Sequence, residues 1–526
     1  MTEHQRHGTA TARLDALADE IYAALAAQFP VCLSSDEFHF FPQFKITAKE
    51  ASPWDDFSDD AVRAFLNRSS QWRRALEHLR PRSGASRMAV DIDLLIRILT
   101  TLDEQLDQIC PQKTQPTFYL TVVSIGLAEA MDDDVQVFGR RIDHLPRFLD
   151  IAMSNLKEVP AVFRDLALDM IPKMASWLAL LPMSTDQQRA AVGALHVFAD
   201  YLEQMTCPSE FRLSKVLYAR VADFHMGCQM ELEEIAWHLD NEIEATAHDL
   251  EEAAARIRAG KPWLEVFNGL PVPDAGGHDA AGIFKGGISQ LKGHCLENGL
   301  IDPQAFAASE VEIRTIPEHM IPVRANAAYS MPPGHPPGGG VFYIRPADRH
   351  PLPRDLMLLA AHETYPGHHL LDTTRWQLAR PLRRCLEFPL FYEGWASFSE
   401  EILFDTGFFS GPADRLMMAK RRFWRAMRGR ADFRIHTGQW RLTEAASALA
   451  DVGLASPEQA LAMVRRYALK PGYQLSYTIG RRKFRQLYTT YLSRGKTPAR
   501  FVRDAVARGE IGFDHLAERI LKSISW

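Results

Sequence analysis

Apolar residues recur at steps of three and four along most of this chain, and that spacing is satisfied by packed helices. Leu14, Leu17, Ile21 and Leu25 fall on one face, because about 3.6 residues complete a helical turn. Phe29-Pro30 closes that segment. Leu94, Leu95, Ile98, Leu99, Leu102 and Leu106 repeat the pattern. Further helices are expected near 115–130, 141–157, 160–180 and 184–205, and over 213–257 with a break near Gly227. The pattern returns at 354–371, 415–438, 456–467, 481–492 and 498–508. Such stripes usually form the core of a helical body.

One region departs from this rule. Val311, Ile313 and Thr315 alternate with charged residues, which reads as a strand, and residues 341–344 read as a strand that returns. Between them, the run MPPGHPPGGG at 331–340 breaks both helix and strand. A small antiparallel β element inside a mainly α protein is therefore expected. His319 and His335 lie in its loops and are expected to face solvent.

Composition excludes several classes of function. The 60 basic and 66 acidic residues leave a net charge of −6, with no excess of positive charge to attract nucleic acid. No stretch of about 18 apolar residues is present, so no membrane span is expected. The start of the sequence lacks a basic segment followed by an apolar core, so no export signal is visible. Cys32, Cys110, Cys207, Cys228, Cys295 and Cys385 are scattered, and no CxxC pair occurs. Isolated cysteines suit a reducing compartment, and a cytoplasmic location is expected.

The segment most charged with chemistry is Ala361-His362-Glu363-Thr364-Tyr365-Pro366-Gly367-His368-His369. A His-Glu pair on a helix, with a second His one turn later, is the pattern of zinc hydrolases. The imidazoles hold the ion, and the glutamate accepts a proton from the water that the ion acidifies. Here the position four after His362 is Pro366, which cannot ligate. On a straight helix His368 and His369 would sit about −120° and −20° from His362. Pro366 and Gly367 permit distortion. A bulge absorbing two residues carries His368 to the ligand position, with His369 as the alternative. Glu393, at the head of a second helical segment, is the expected third ligand, since a catalytic zinc takes three protein ligands and keeps one position open. Glu400, one heptad later on the same face, is expected to hold a ligating histidine from behind. Two histidines and one carboxylate accept zinc and also other divalent ions.

The HExxPGHH segment at 362–369 followed by EGWASFSEE at 393–401 resembles the DUF885 family of bacterial proteins. The resemblance covers about 210–526. Arg425 to Arg428 and Asp432 to His436 are similar to the family's RxxR…DxGxH helix, and 470–480 is similar to its PGQxxxYxxG segment. Residues 232–244 and 317–333 fit more loosely. Arg434 replaces the glycine of DxGxH, and Tyr473 stands where the family has glutamine. The family is grouped with helical zinc metallopeptidases related to thermostable carboxypeptidases and angiotensin-converting enzyme. The resemblance therefore implies a large helical zincin-like fold with a deep central cleft.

The chain is accordingly expected to comprise a helical N-terminal region, 1–210, and a metallohydrolase region, 211–526, as one continuous two-lobed body. Glu363 is expected to act as general base, and Tyr477, then His436, as donors to the developing oxyanion. Arg428 and Arg481, among Arg425, Arg428, Arg481 and Arg482, are candidates to grip a substrate carboxylate. Tyr343, on the returning strand, is a further substrate contact. The expected activity is zinc-dependent hydrolysis of amide bonds in short peptides. The alternatives are hydrolysis of a small-metabolite amide and, further off, a non-catalytic metal-stabilised binding protein.

Overall fold

The expected helices form, and many begin at a side chain able to cap them. The hydroxyls of Ser58, Ser86, Ser214 and Thr497 each accept an N–H of the first helical turn. Ser184 and Ser456 make full capping boxes with Gln187 and Gln459. The computed structural model describes residues 3–44, 52–81, 86–133, 135–273, 280–307, 309–317, 327–345 and 351–522. His319 lies outside these.

The N-terminal third is a stack of helices that includes Glu3–Gln28, Asp59–Leu79, Arg87–Glu104, Pro116–Asp133, Val135–Asn155, Ala161–Leu178 and Thr185–Gln204. The elements that carry the site follow: α1 (Leu232–Ile257), α2 (Ala280–Glu297), β1 (Val311–Thr315), β2 (Ala327–Ser330), β3 (Gly340–Ile344), α3 (Leu356–Glu363) and α4 (His368–Trp376). They continue with α5 (Pro389–Asp405), α6 (Pro412–His436), α7 (Pro457–Leu469) and α8 (Leu475–Leu492). One hydrophobic cluster runs from Leu14 to Ile520, so the N-terminal and C-terminal regions share a core.

The β element is a three-stranded mixed sheet in the order β1-β3-β2. The expected return of 341–344 on 311–315 is corrected: β3 runs parallel to β1, and its antiparallel partner is β2, a strand the sequence pattern does not announce. Strand β2 (AAYS) is short and carries two alanines, so only its pairing with β3 makes it a strand.

Helix α5 is buried on all sides through most of its length, as suits a helix in the centre of a large protein. It meets α8 backbone to backbone. A Cβ on Gly480 would lie 2.2 Å from the Leu390 carbonyl oxygen and 2.6 Å from the Gly394 Cα. Glycine at both positions thus sets the distance between the helices that carry Glu393 and Tyr477. Gly480→Ala is expected to cost about 3 kcal/mol of stability, read as a lower midpoint in chemical denaturation.

The apolar run at 354–371 does not form one helix. Helix α3 stops at Glu363 and α4 starts at His368. Gly367 packs into the break, where a Cβ would fall 1.9 Å from the His362 carbonyl oxygen. Its N–H bonds to the carbonyl of Ala361, and that of Leu370 to Thr364. The interruption brings His362 and His368 together, with ring centroids 4.9 Å apart.

Candidate metal centre

Three buried side chains from three helices converge at this break: His362 at the end of α3, His368 at the start of α4 and Glu393 in α5. Glu393 Oε2 stands 3.5 Å from His362 Nε2 and 3.5 Å from His368 Nε2. Ligands about 2.1 Å from a tetrahedral ion stand about 3.4 Å apart, so these two edges have the length a zinc site requires.

Two of the ligands are held from behind by hydrogen-bonding partners, and the third, His368, by a ring stack. Glu393 Oε1 accepts hydrogen bonds from the hydroxyls of Tyr473 (2.7 Å) and Tyr477 (2.8 Å). Its Oε2 is buried with no hydrogen-bond partner among the described residues, an arrangement that is costly unless a cation takes the place. His362 Nδ1 lies 3.0 Å from Glu400 Oε1. Arg425 Nη2, a donor only, lies 3.1 Å from the same nitrogen; with the proton on Nδ1 and Glu400 as its acceptor, Nε2 is left free to ligate. The His368 ring stacks on Tyr392 at 4.0 Å. The residues present therefore fit a divalent ion.

Glu400 is fully buried, and both of its oxygens accept from Arg421 and from Arg425. Burial alone would raise its carboxyl, but the two guanidinium charges and His362 hold it well below the usual carboxylate range. It thus remains an anion behind the imidazole. Burial pushes the Glu363 carboxyl up to about 7; the His368 charge opposes this and the Glu393 charge adds to it. Replacing Glu400 with Gln weakens the hold on His362, and metal affinity is expected to fall about 10–100-fold, measured by competition with a chromogenic chelator.

The other site candidates divide clearly. Glu363, Tyr477 and Arg428 line the cleft beside the three ligands, and the Arg428 guanidinium sits 4.8 Å from the Tyr477 ring centre. His369 is turned away. Its Nε2 pairs with the Ser309 hydroxyl and its Nδ1 with the Tyr329 hydroxyl, each at 2.7 Å, so both ring nitrogens are taken. His436 is not an oxyanion donor: it is buried outside the cleft, bonded to the Tyr467 carbonyl at 3.1 Å and stacked on Tyr218. Arg481 is not a substrate anchor either, because it is buried between Glu401 and Glu242. Arg425 is committed to Glu400, and Arg482 lies outside the cleft lining. Tyr343 also lies outside the lining, whereas its strand neighbour Ile344 is within it, as the alternation of strand side chains requires. His335 is exposed but bonds to the Trp376 carbonyl at 2.7 Å.

Two contributors carried only a weak sequence signal. Tyr473, in the turn before α8, and Tyr477, in its first turn, grip the same oxygen. Asp432 accepts the N–H groups of Gly472 (3.0 Å) and Gln474 (2.9 Å), which fixes the turn that presents both tyrosines. Arg434, which replaces the motif glycine, points toward Asp240 and Trp440 and lies outside the cleft lining.

The cleft encloses about 1230 Å³. Strand β2, residues 36–39, and parts of α3, α5, α6, α7 and α8 line it, and the N-terminal region thus supplies one wall. His39 stacks on Tyr473 at 4.6 Å.

A largely helical body with a His-His-Glu cluster in a deep cleft is the class this architecture defines. The chain belongs to the DUF885 family, described as bacterial proteins of unknown function, whose profile matches residues 45–520. No curated protein matches it. Two solved structures share the fold. A candidate lipoprotein from Colwellia psychrerythraea has a TM-score of 0.79 and 15% identity, with 98% of this chain and 99% of that one covered. A candidate lipoprotein of unknown function from Shewanella oneidensis has a TM-score of 0.73 and 15% identity, with 97% and 99% covered. Their description as lipoproteins overturns the expectation of a cytoplasmic location. The cysteine argument fails for a physical reason: a chain with so large a core needs no disulfides in either compartment. Among the described residues, no helix is long and apolar enough to cross a membrane.

Proposed function

We propose that this chain is a divalent-metal-dependent hydrolase of amide bonds in short peptides, with zinc as the expected ion. The observation that carries the reading is the convergence of the three ligand atoms on a common point, with His362 and Glu393 restrained on their far sides by hydrogen-bonding partners. A divalent ion at that point would supply a Lewis acid and lower the pKa of a water molecule.

The chain's own residues supply the rest. Glu363 accepts the proton of the attacking water and passes it to the departing amine. Its carboxylate is buried in the cleft wall and makes no ion pair with a described residue, so a purely structural role has little to recommend it. Tyr477 offers a hydroxyl to the carbonyl oxygen as negative charge builds there. Tyr473 keeps Glu393 Oε1 satisfied when Tyr477 turns away.

The cleft volume and the sheet favour a peptide. A small metabolite needs far less than 1230 Å³. Among the described residues β2 is an edge strand of the sheet, and it lines the cleft. An extended peptide can pair with such an edge through its main chain. An exported or membrane-held setting belongs to this reading, on the descriptions of the two structural neighbours.

The test is cleavage of a mixed library of short peptides by the zinc-loaded chain, followed by mass spectrometry. Cleavage that stops on chelation and returns with zinc is expected. A library left intact under all metal conditions would overturn the proposal.

A further inference from the structure

We propose that the cleft recognises its substrate by a carboxylate, held where Arg345, Arg428, Arg466 and the Tyr467 hydroxyl converge. The inference rests on the reading of the cleft as a substrate channel, and it specifies the substrate class.

Three arginines from separate elements line the same cleft. Arg345 follows β3, Arg428 is on α6 and Arg466 is on α7. None of them pairs with a carboxylate among the described residues. Of the acids that line the cleft, Asp169 pairs with Arg465 at 3.1 Å and Asp355 with Lys420 and Arg421. Burial lowers the Arg466 guanidinium from its usual range, and the charges of Arg345 and Arg428 lower it further. Like charges gathered in a partly desolvated cleft destabilise one another until an anion joins them.

Tyr467 gives an independent sign of a ligand. It is only 5% exposed, lines the cleft and feels the charges of both Arg428 and Arg466. The Arg428 guanidinium stands at its hydroxyl oxygen and can only donate, so the phenolic O–H keeps no acceptor among the described residues, and Arg428 Nε is buried with no hydrogen-bond partner among them. Buried donors of this kind are rarely left unmet. A carboxylate accepts from a phenol and from guanidinium groups at once, and arginine suits its planar geometry.

The position relates the anion to the scissile bond. Arg428 lies over Tyr477, and Tyr477 bonds to Glu393. Only one side chain therefore separates the arginine cluster from the metal ligands, so the gripped carboxylate belongs close to the bond that is cut. Substrates are then short peptides with a free C-terminus or an acidic side chain near that bond.

Three probes distinguish these sources: acetyl-Ala-Ala-Ala as the free acid, the same peptide as its C-terminal amide, and acetyl-Ala-Glu-Ala amide. Calorimetry on the full chain carrying Glu363→Gln measures binding without turnover. One carboxylate-bearing probe is expected to bind at least about tenfold more tightly than the neutral amide. The free acid wins if the terminal carboxylate is read, and the glutamyl amide wins if a side chain is read. Arg466→Met and, separately, Arg345→Met should each shrink that preference, with the fold checked by thermal melting. Equal binding of all three probes, no binding of any, or a preference that survives both substitutions overturns the proposal. Cleavage by the parent chain is scored apart. A carboxylate preference without cleavage leaves this site standing and removes the hydrolase reading, and cleavage without the preference does the reverse.

Discussion

The Glu363→Gln variant is expected to retain its metal and to lose about 10³-fold in kcat, the scale of a positioned general base. The substitution keeps the size of the side chain and removes its ability to take a proton. Glu363 is not among the three converging ligands, so ion content should stay at the parent level. Binding of a peptide should change far less than turnover, because the lost interaction belongs to the transition state. Steady-state kinetics on a peptide cleaved by the parent chain, with metal content measured on the same samples, checks both halves. A variant with unchanged kcat would remove Glu363 from the chemistry.

His368→Ala and His369→Ala are expected to separate sharply although the residues are neighbours. His368→Ala removes one of three ligands, and zinc affinity should fall by well over about 100-fold, beyond what the loss of an outer partner costs. His369→Ala leaves the three converging atoms in place. It instead deprives the Ser309 and Tyr329 hydroxyls of their shared partner in a buried setting. A loss of about 1–3 kcal/mol in folding stability is expected, with zinc affinity near that of the parent. Competition titration with a chelator and chemical denaturation give the two readouts.

Much of this site was legible in the sequence because its residues crowd into two short segments. His362, Glu363 and His368 announce a ligand helix, and the mismatch of spacing at Pro366 demands the interruption seen between α3 and α4. Glu393 and Glu400 share a face of α5, so one can ligate while the other backs a histidine. What the sequence could not display is pairing across the fold. Arg481 looked available for substrate, yet Glu242 of α1 and Glu401 of α5 enclose it. His436 sits in a motif helix, but the fold packs its ring on Tyr218. Strand β2 has no alternating pattern of its own and exists through its register with β3. Arg466 and Tyr467 lie in an ordinary amphipathic helix, and only the tertiary structure brings them beside Arg428.

The most direct measurement is anomalous scattering at the zinc edge from a crystal of the zinc-loaded protein. The account predicts one strong peak within bonding distance of His362 Nε2, His368 Nε2 and Glu393 Oε2, with His369 still bonded to Ser309 and Tyr329. No peak at that point, or a peak coordinated by His369, would contradict it.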